Sequence, residues 1–424
     1  MTRQLRDDCF LHDKDRLAHD EAIAILKDRM TPLVGSENVP LEIAAGRIAS
    51  ADVGAPRAIP AHDNAAVDGY AFRFDDYDAG AGSEMPVAGR VAAGHPITDA
   101  LASGVAVRIF TGAAMPGGFD TVVMQEDVET LGEESRVRIP AGLKAGANRR
   151  LAGEDVQPGE ALVGSGQRLR PQDIAAIASA GHGEVSCYER LRVGILSSGD
   201  EVIRPGEPFI HGQVYDANSP MLQALISTTG SQADDLGIMR DDPAVVGRSL
   251  SEAAQKYNLI ITSGGASLGE EDHIISTLDR LGTRHLWQIA VKPGRPMTFG
   301  QIGDCVFVGL PGNPVAVFVC FLLYAWPLIM RASGAHWPTP ARYKLPAAFT
   351  IASKKPDRRE FWRGLMRATD AGPVAEKFAR DGSGLISGLT AADGLIEVGE
   401  AVTEVREGDE VNFIPFAEFG IPTR

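Results

Sequence analysis

Three short stretches of small residues carry the chain's clearest chemical signal. They are Ser197-Ser198-Gly199-Asp200-Glu201, Ser263-Gly264-Gly265-Ala266-Ser267-Leu268-Gly269-Glu270-Glu271-Asp272 and Pro311-Gly312-Asn313-Pro314. Small side chains let the backbone come close to a ligand and turn its N–H groups outward. A helix that starts where such a loop ends adds the positive end of its dipole, which favours an anion. A phosphate-bearing ligand is the natural guest, with Ser198, Gly199, Ser263, Gly264, Gly265, Pro311, Gly312, Asn313 and Pro314 as its cradle. These are not Walker or dinucleotide loops: GxxxxGK[ST] is absent, and no GxGxxG follows a strand pattern.

Carboxylates crowd the same segments: Asp200, Glu201, Asp241, Asp242, Glu270, Glu271 and Asp272. Acids beside an anion site call for a cation between them, and hard oxygen donors next to phosphate favour Mg²⁺. Glu201 and Asp272 directly adjoin the glycine loops and are the candidate metal residues, whereas Asp242, Glu270 and Glu271 read as solvated surface acids. Lys292 and Arg295, in VKPGRP, offer two cations on a loop stiffened by prolines, and arginine can grip an oxyanion in a two-pronged way. Arg149 and Arg150, ahead of Gly153-Glu154-Asp155, form a second candidate clamp. Asp68 in DNAAVDGYA and Thr111 in RIFTG read, on physics alone, as turn residues. The nine histidines are scattered, with no HExxH, and there is no GxSxG nucleophile elbow.

The elements that must position these residues show two rhythms. From Leu191 onward, near-continuous apolar strands (191–198, 258–262, 286–291, 305–309) alternate with helices (217–229, 273–281, and one opened by Gly312-Asn313-Pro314). That is the pattern of an α/β unit with a mainly parallel sheet, in which ligands bind beyond the carboxyl ends of the strands. Asn218 or Ser219 is the expected cap of the first of these helices, with Pro220 in its first turn. Residues 55–149 instead hold short apolar runs at 86–91, 105–109, 121–124 and 136–139, broken by Gly, Pro and Asp, as in a small β-rich domain. A helix is expected over 17–30 and another over 171–180, and residues 336–424 return to short strands and turns.

Composition narrows the classes further. The length of 424 residues suggests about three domains. A net charge of −15 makes the chain a poor general binder of nucleic acid or anionic membrane. The four cysteines are widely spaced with no CxxC, so neither a disulfide framework nor a thiolate zinc site is expected, and a cytoplasmic setting fits. The charged first twenty residues show no apolar core of a secretory signal. The apolar run 315–330 contains Pro327, is short for a membrane span, and reads as a buried helix.

Taken together, these segments resemble the bacterial MoeA family of molybdopterin molybdenumtransferases, which is also similar to the E domain of gephyrin. The resemblance runs from about residue 15 to the end. It rests on DNAAVDGYA (63–71), RIFTGAAMPGGFDTVVMQED (108–127), RRLAGEDV (149–156), SSGDE (197–201), QVYDANSPML (213–222), GIMRDD (237–242), TSGGASLGEEDH (262–273), VKPGRPMTFG (291–300) and GLPGNPVAVF (309–318). It implies an elongated multidomain protomer: an N-terminal linker and dimerisation domain (1–54 with 150–188), an inserted β-rich domain (55–149), a MogA-like three-layer α/β domain (189–335) and a C-terminal β-barrel (336–424). It further implies a homodimer whose site lies between the MogA-like domain of one subunit and the inserted domain of the other. The implied reaction is Mg²⁺-dependent joining of molybdate to adenylylated molybdopterin with release of AMP. A MogA-like adenylyltransferase and recipient molybdoenzymes are the implied protein partners. Asp68, Thr111, Asp155, Glu201, Asp241, Asp272, Lys292, Pro311 and Pro314 carry over as functional positions, and either Ser383 or Ser387 as a further substrate contact.

Three segments depart from the family pattern. Gln288 stands where many relatives have lysine, Arg295 replaces the lysine of GKP, and Ala65-Ala66-Val67 replaces the SAM of NSAMDGYA. Molybdate affinity is the property these changes touch. Two other functions fit the motifs less well. Adenylyl transfer by the MogA-like domain alone would not require the inserted domain. A non-catalytic carrier or scaffold for molybdenum cofactor would be free to lose the carboxylates and Asp68, all of which are present.

Overall fold

The computed structural model describes residues 17–264, 273–294 and 296–422. Its centre is a six-stranded sheet ordered Gln232–Met239, Arg192–Ser198, Leu259–Ser263, Cys305–Leu310, Pro296–Ile302, Thr283–Gln288. The first four strands are parallel, and the last two join antiparallel. Alternate side chains show why the strands read as continuously apolar. Val193, Ile195, Leu259, Ile261, Val306 and Val308 enter one core, with the helix Asn218–Ser227 and the apolar helical stretch from Pro314 to Ala332. Leu196, Ile260 and Phe307 enter the opposite core, under the helices Pro243–Ala254 and His273–Leu281. Both faces are covered, which gives three layers. The stretch from Pro314 to Ala332 is long and apolar enough to cross a membrane, but 94% of it is buried in this core.

Sequence and structure differ in three places here. The strand expected over 286–291 is Thr283–Gln288, and Pro296–Ile302 forms an additional strand that pairs with it. A leading proline masked the latter, because proline marks strand starts and edges as readily as turns. The cap of the helix Asn218–Ser227 is neither Asn218 nor Ser219. Asp216 accepts both of their backbone N–H groups, at 3.1 and 3.0 Å. Asp242, read as a plain surface acid, caps Pro243–Ala254 by accepting from Ala244 and Val245, and those N–H groups hold its carboxyl below the usual range.

The β-rich segment forms its own six-stranded sheet, ordered Thr121–Met124, Gly69–Phe72, Ala106–Ile109, Ser83–Val91, Arg136–Ile139, Glu129–Leu131. Near the C-terminus, Tyr343–Pro346, Arg359–Thr369, Gly372–Lys377, Gly394–Val398 and Glu410–Pro415 pair in one sheet. A bridge between Ala347 and Ala375 links its two ends, closing a small barrel.

The α/β unit and the barrel are welded by backbone pairing. Val291–Lys292 runs parallel to Arg359 and Glu360. Beside this pair, Arg359 takes Asp20 in a two-pronged grip (2.8 and 2.7 Å) and reaches Glu397 and Glu400. The helix His19–Arg29 thus joins the same junction. The loop beyond Lys292 is held just as tightly. Gly294 has φ +102°, and a Cβ there would lie 2.0 Å from the Cys320 sulfur in the buried helix.

Two outcomes follow from this junction. Gly294→Ala meets both a positive φ and a buried sulfur, so it should cost about 1–3 kcal/mol or more, seen as a lower urea midpoint. His19 is buried, with Nδ1 2.8 Å from the Tyr324 hydroxyl, and burial, then the Arg359 charge, lowers its pKa to about 4. A base held neutral in the fold but protonated in the unfolded chain destabilises the fold as pH drops from about 6.5 towards 4, by up to about 3 kcal/mol. Thermal melts between pH 7 and 4 should fall steeply for the wild type and more gently for His19→Gln.

Candidate active site

Two cavities open at the carboxyl edge of the parallel strands and share Gly312 and Asn313. The larger, about 680 Å³, draws on all three glycine loops: Ser198, Gly199 and Glu201, then Ser263 and Gly264, then Gly312, Asn313 and Pro314. Asp241 stands on the same wall and accepts from the Ser198 hydroxyl at 3.2 Å. The loops touch one another. Gly264 has φ +92°, and a Cβ there would press to 2.9 Å on the Ser198 carbonyl oxygen. Asn218 donates its amide to the Gly312 carbonyl at 2.8 Å. Asp216, its side chain almost fully buried, accepts from the Ser197 hydroxyl at 2.6 Å and pairs with Arg204 at 3.2 Å, so the strand end and the helix start share one anchor.

The smaller cavity, about 450 Å³, lies between the α/β unit and the barrel. Lys292, Gly294, Pro311 and Ala316 line one side, and Phe361, Trp362, Arg363, Lys377, Phe378 and Ser383 the other. Arg363 is the unusual member. It is buried, it stacks over the Phe378 ring, and its two terminal nitrogens donate to the Leu385 and Arg380 carbonyls at 2.7 Å each. Among the described residues no carboxylate reaches ion-pairing distance of it, and burial lowers its pKa. Asp381, which also lines the cavity and is paired with Lys377, acts on Arg363 only at longer range, so this buried guanidinium is a candidate receptor for an anion.

Sequence reasoning therefore found the glycine-loop wall of the larger cavity with Glu201 and Asp241, and the side of the smaller one formed by Lys292, Pro311, Gly312 and Asn313. It missed Arg363, Trp362, Lys377 and Phe378, whose strands carry no local signal and reach the cavity only through barrel closure. Ser383 lines that cavity; Ser387 lines neither and interacts with Arg380 at 3.4 Å. Asp68, Thr111 and Asp155 also line neither cavity. Asp68 and Thr111 do meet each other: the Thr111 backbone N–H and hydroxyl donate to one Asp68 oxygen at 2.8 and 2.7 Å, which lowers the Asp68 pKa. Asp155 is exposed, and its backbone N–H bonds Ile59. Gly265, Asp272 and Arg295 lie outside the described residues.

The donor set on the larger cavity suits Mg²⁺. Glu201 and Asp241 offer carboxylate oxygens on one wall, with the Ser198 hydroxyl beside Asp241. Among the described residues no cluster of three ligating side chains forms a closed cage. Mg²⁺ commonly takes only one or two carboxylates and completes its shell with water and substrate phosphate.

The chain matches three family descriptions in order: the MoeA N-terminal region (domain I and II) over residues 17–181, a probable molybdopterin binding domain over 194–331, and the MoeA C-terminal region (domain IV) over 344–416. It is 35% identical to the molybdopterin molybdenumtransferase of Haemophilus influenzae, covering 94% of this chain and 98% of the relative. It is 32% identical to molybdopterin molybdenumtransferase 2 of Mycobacterium tuberculosis, covering 93% and 97%. Its fold matches the crystal structure of the molybdopterin biosynthesis moeA protein from Pyrococcus horikoshii OT3 with a TM-score of 0.79, at 28% identity over 95% of this chain and 100% of that one. Full-length coverage, three domain matches in family order and a shared fold show that this chain belongs to the MoeA family of molybdopterin molybdenumtransferases.

Proposed function

We propose that this chain joins molybdate to the dithiolene of adenylylated molybdopterin and releases AMP. The observation that carries this reading is the joined pair of cavities. One has glycine loops and acids, suited to a phosphate-linked ligand with its cation. The other has cations on aromatic walls, suited to an oxyanion beside a flat ring. Glu201, Asp241 and Asp272 would hold Mg²⁺, which supplies charge neutralisation at the phosphate groups when bound.

The chain's own residues do the rest. The backbone around Gly264 and Gly312 receives the phosphate end. Lys292 and Arg363 hold molybdate, with Arg295 as a further cation on the same loop. Two molybdenum–sulfur bonds form as one molybdate oxygen leaves as water with the two dithiol protons, and Glu201 is suited to take a proton from the water that attacks the pterin-side phosphorus, so that this water's oxygen ends on the pterin phosphate and AMP departs with the bridging oxygen. Asp68 and Thr111 are contributed by a second copy of the chain, a reading supported by their lining neither cavity of their own chain. The implied setting is cytoplasmic, alongside a MogA-like supplier of the adenylylated pterin and molybdoenzymes that accept the product.

Purified chain with adenylylated molybdopterin, molybdate and Mg²⁺ should release AMP. Glu201→Gln should slow release about 100-fold or more without lowering the melting temperature, because the side chain is exposed and general acid–base groups contribute on that scale. AMP release at the wild-type rate by this variant would remove Glu201 from the chemistry. Mixing Asp68→Ala and Glu201→Gln subunits should restore part of the activity, since one hybrid site is then intact. No recovery after demonstrated subunit exchange would place the whole site within one chain.

A further inference from the structure

One carboxylate at the edge of the smaller cavity is placed as support rather than as a lining group. Glu360 is 3% exposed and follows Arg359 on the barrel strand that pairs with Val291–Lys292. Its Oε2 accepts from the Trp362 indole N–H at 2.9 Å and lies 3.5 Å from the Lys292 ammonium. Its Oε1 accepts from Arg358 at 2.8 Å. Glu360 therefore holds two lining groups at once, a cation from the α/β unit and an aromatic wall from the barrel. The Lys292 side chain is 46% exposed; Glu360 is the carboxylate in contact with it among the described residues, and Asp381, which also lines the cavity, acts on it at longer range. A long flexible ammonium left in solvent would lose rotamer entropy on meeting an anion, so one already restrained binds at less cost.

Burial alone would raise the Glu360 pKa. The Trp362 and Arg358 hydrogen bonds and the Lys292 charge bring it below the usual range instead, so it is ionised at neutral pH. Replacing it with glutamine keeps the size and removes the charge that restrains Lys292, while one of its two accepting oxygens becomes a donor, so that either the Arg358 or the Trp362 bond is lost as well.

We infer that Glu360 is a positioning residue for oxyanion capture: by holding Lys292 and Trp362 together across the domain junction, it sets the affinity of the smaller cavity for molybdate without itself touching the substrate. This deepens the reading given under Proposed function and rests on it.

The test compares wild type, Glu360→Gln, Lys292→Met and the double variant. Molybdate binding to the ligand-free chain is measured by titration calorimetry, and AMP release is measured across molybdate concentrations. Glu360→Gln should weaken molybdate binding and raise its KM about tenfold, with kcat at saturating molybdate within about threefold, on the scale of one charge-assisted contact. In the Lys292→Met background, the same change should add less than about twofold, because the contact it supports is already gone. Glu360→Asp, which keeps the charge, should recover part of the loss. A Glu360→Gln chain with unchanged molybdate Kd and KM, or with an equal loss in both backgrounds, overturns the inference while leaving the proposed reaction standing. A wild-type chain that binds no molybdate and releases no AMP overturns both.

Discussion

The short parallel pairing of Val291–Lys292 with Arg359 and Glu360 is the constraint on which the rest of the site depends. It is a backbone ladder between two units that also share one apolar core, where Phe361, Leu395, Ile414, Phe416 and Phe419 pack with Phe318 and Trp326, and it fixes register. Once Lys292 sits opposite Glu360, the smaller cavity must lie between the Gly294 turn and the aromatic stretch Phe361 and Trp362. Buried charges around the ladder add specificity. Arg359 ties Asp20, Glu397 and Glu400 into one cluster, in which the buried Glu397 is also paired with Arg342.

The larger cavity follows from a different rule. Four parallel strands end along one edge, and each glycine loop leaves that edge beside its neighbour. The described parts of the loops are mutually braced, Gly264 against Ser198 and Asn218 against Gly312, so this much of the proposed phosphate cradle is preformed. Preformed donors reorganise little on binding, which is what a site for a charged, phosphate-linked substrate requires. The two cavities meet at Gly312 and Asn313, which puts the proposed oxyanion and nucleotide sites within reach of one elongated ligand.

Much of this was legible in the residues. The helix His273–Leu281 and the strands Thr121–Met124 and Arg136–Ile139 match the sequence pattern to the residue, because local periodicity and turn residues agree there. The glycine loops and Glu201 were visible because their chemistry is local. Arg363 was not, because an arginine in a barrel strand looks like any surface charge until closure buries it against Phe378. Asp216 was not, because a cap two residues ahead of an Asn-Ser pair is outranked by the pair itself. Asp68 and Thr111 looked like turn chemistry, and within one chain they still do; only the family resemblance gives them a purpose.

The most direct measurement is anomalous diffraction at the molybdenum edge from crystals grown with adenylylated molybdopterin, molybdate and Mg²⁺. The expected result is a molybdenum peak in the smaller cavity between Lys292 and Arg363, with the adenylyl phosphate against Gly264 and Gly312. A molybdenum peak away from both cations, with the nucleotide outside the larger cavity, would contradict the shared two-cavity site.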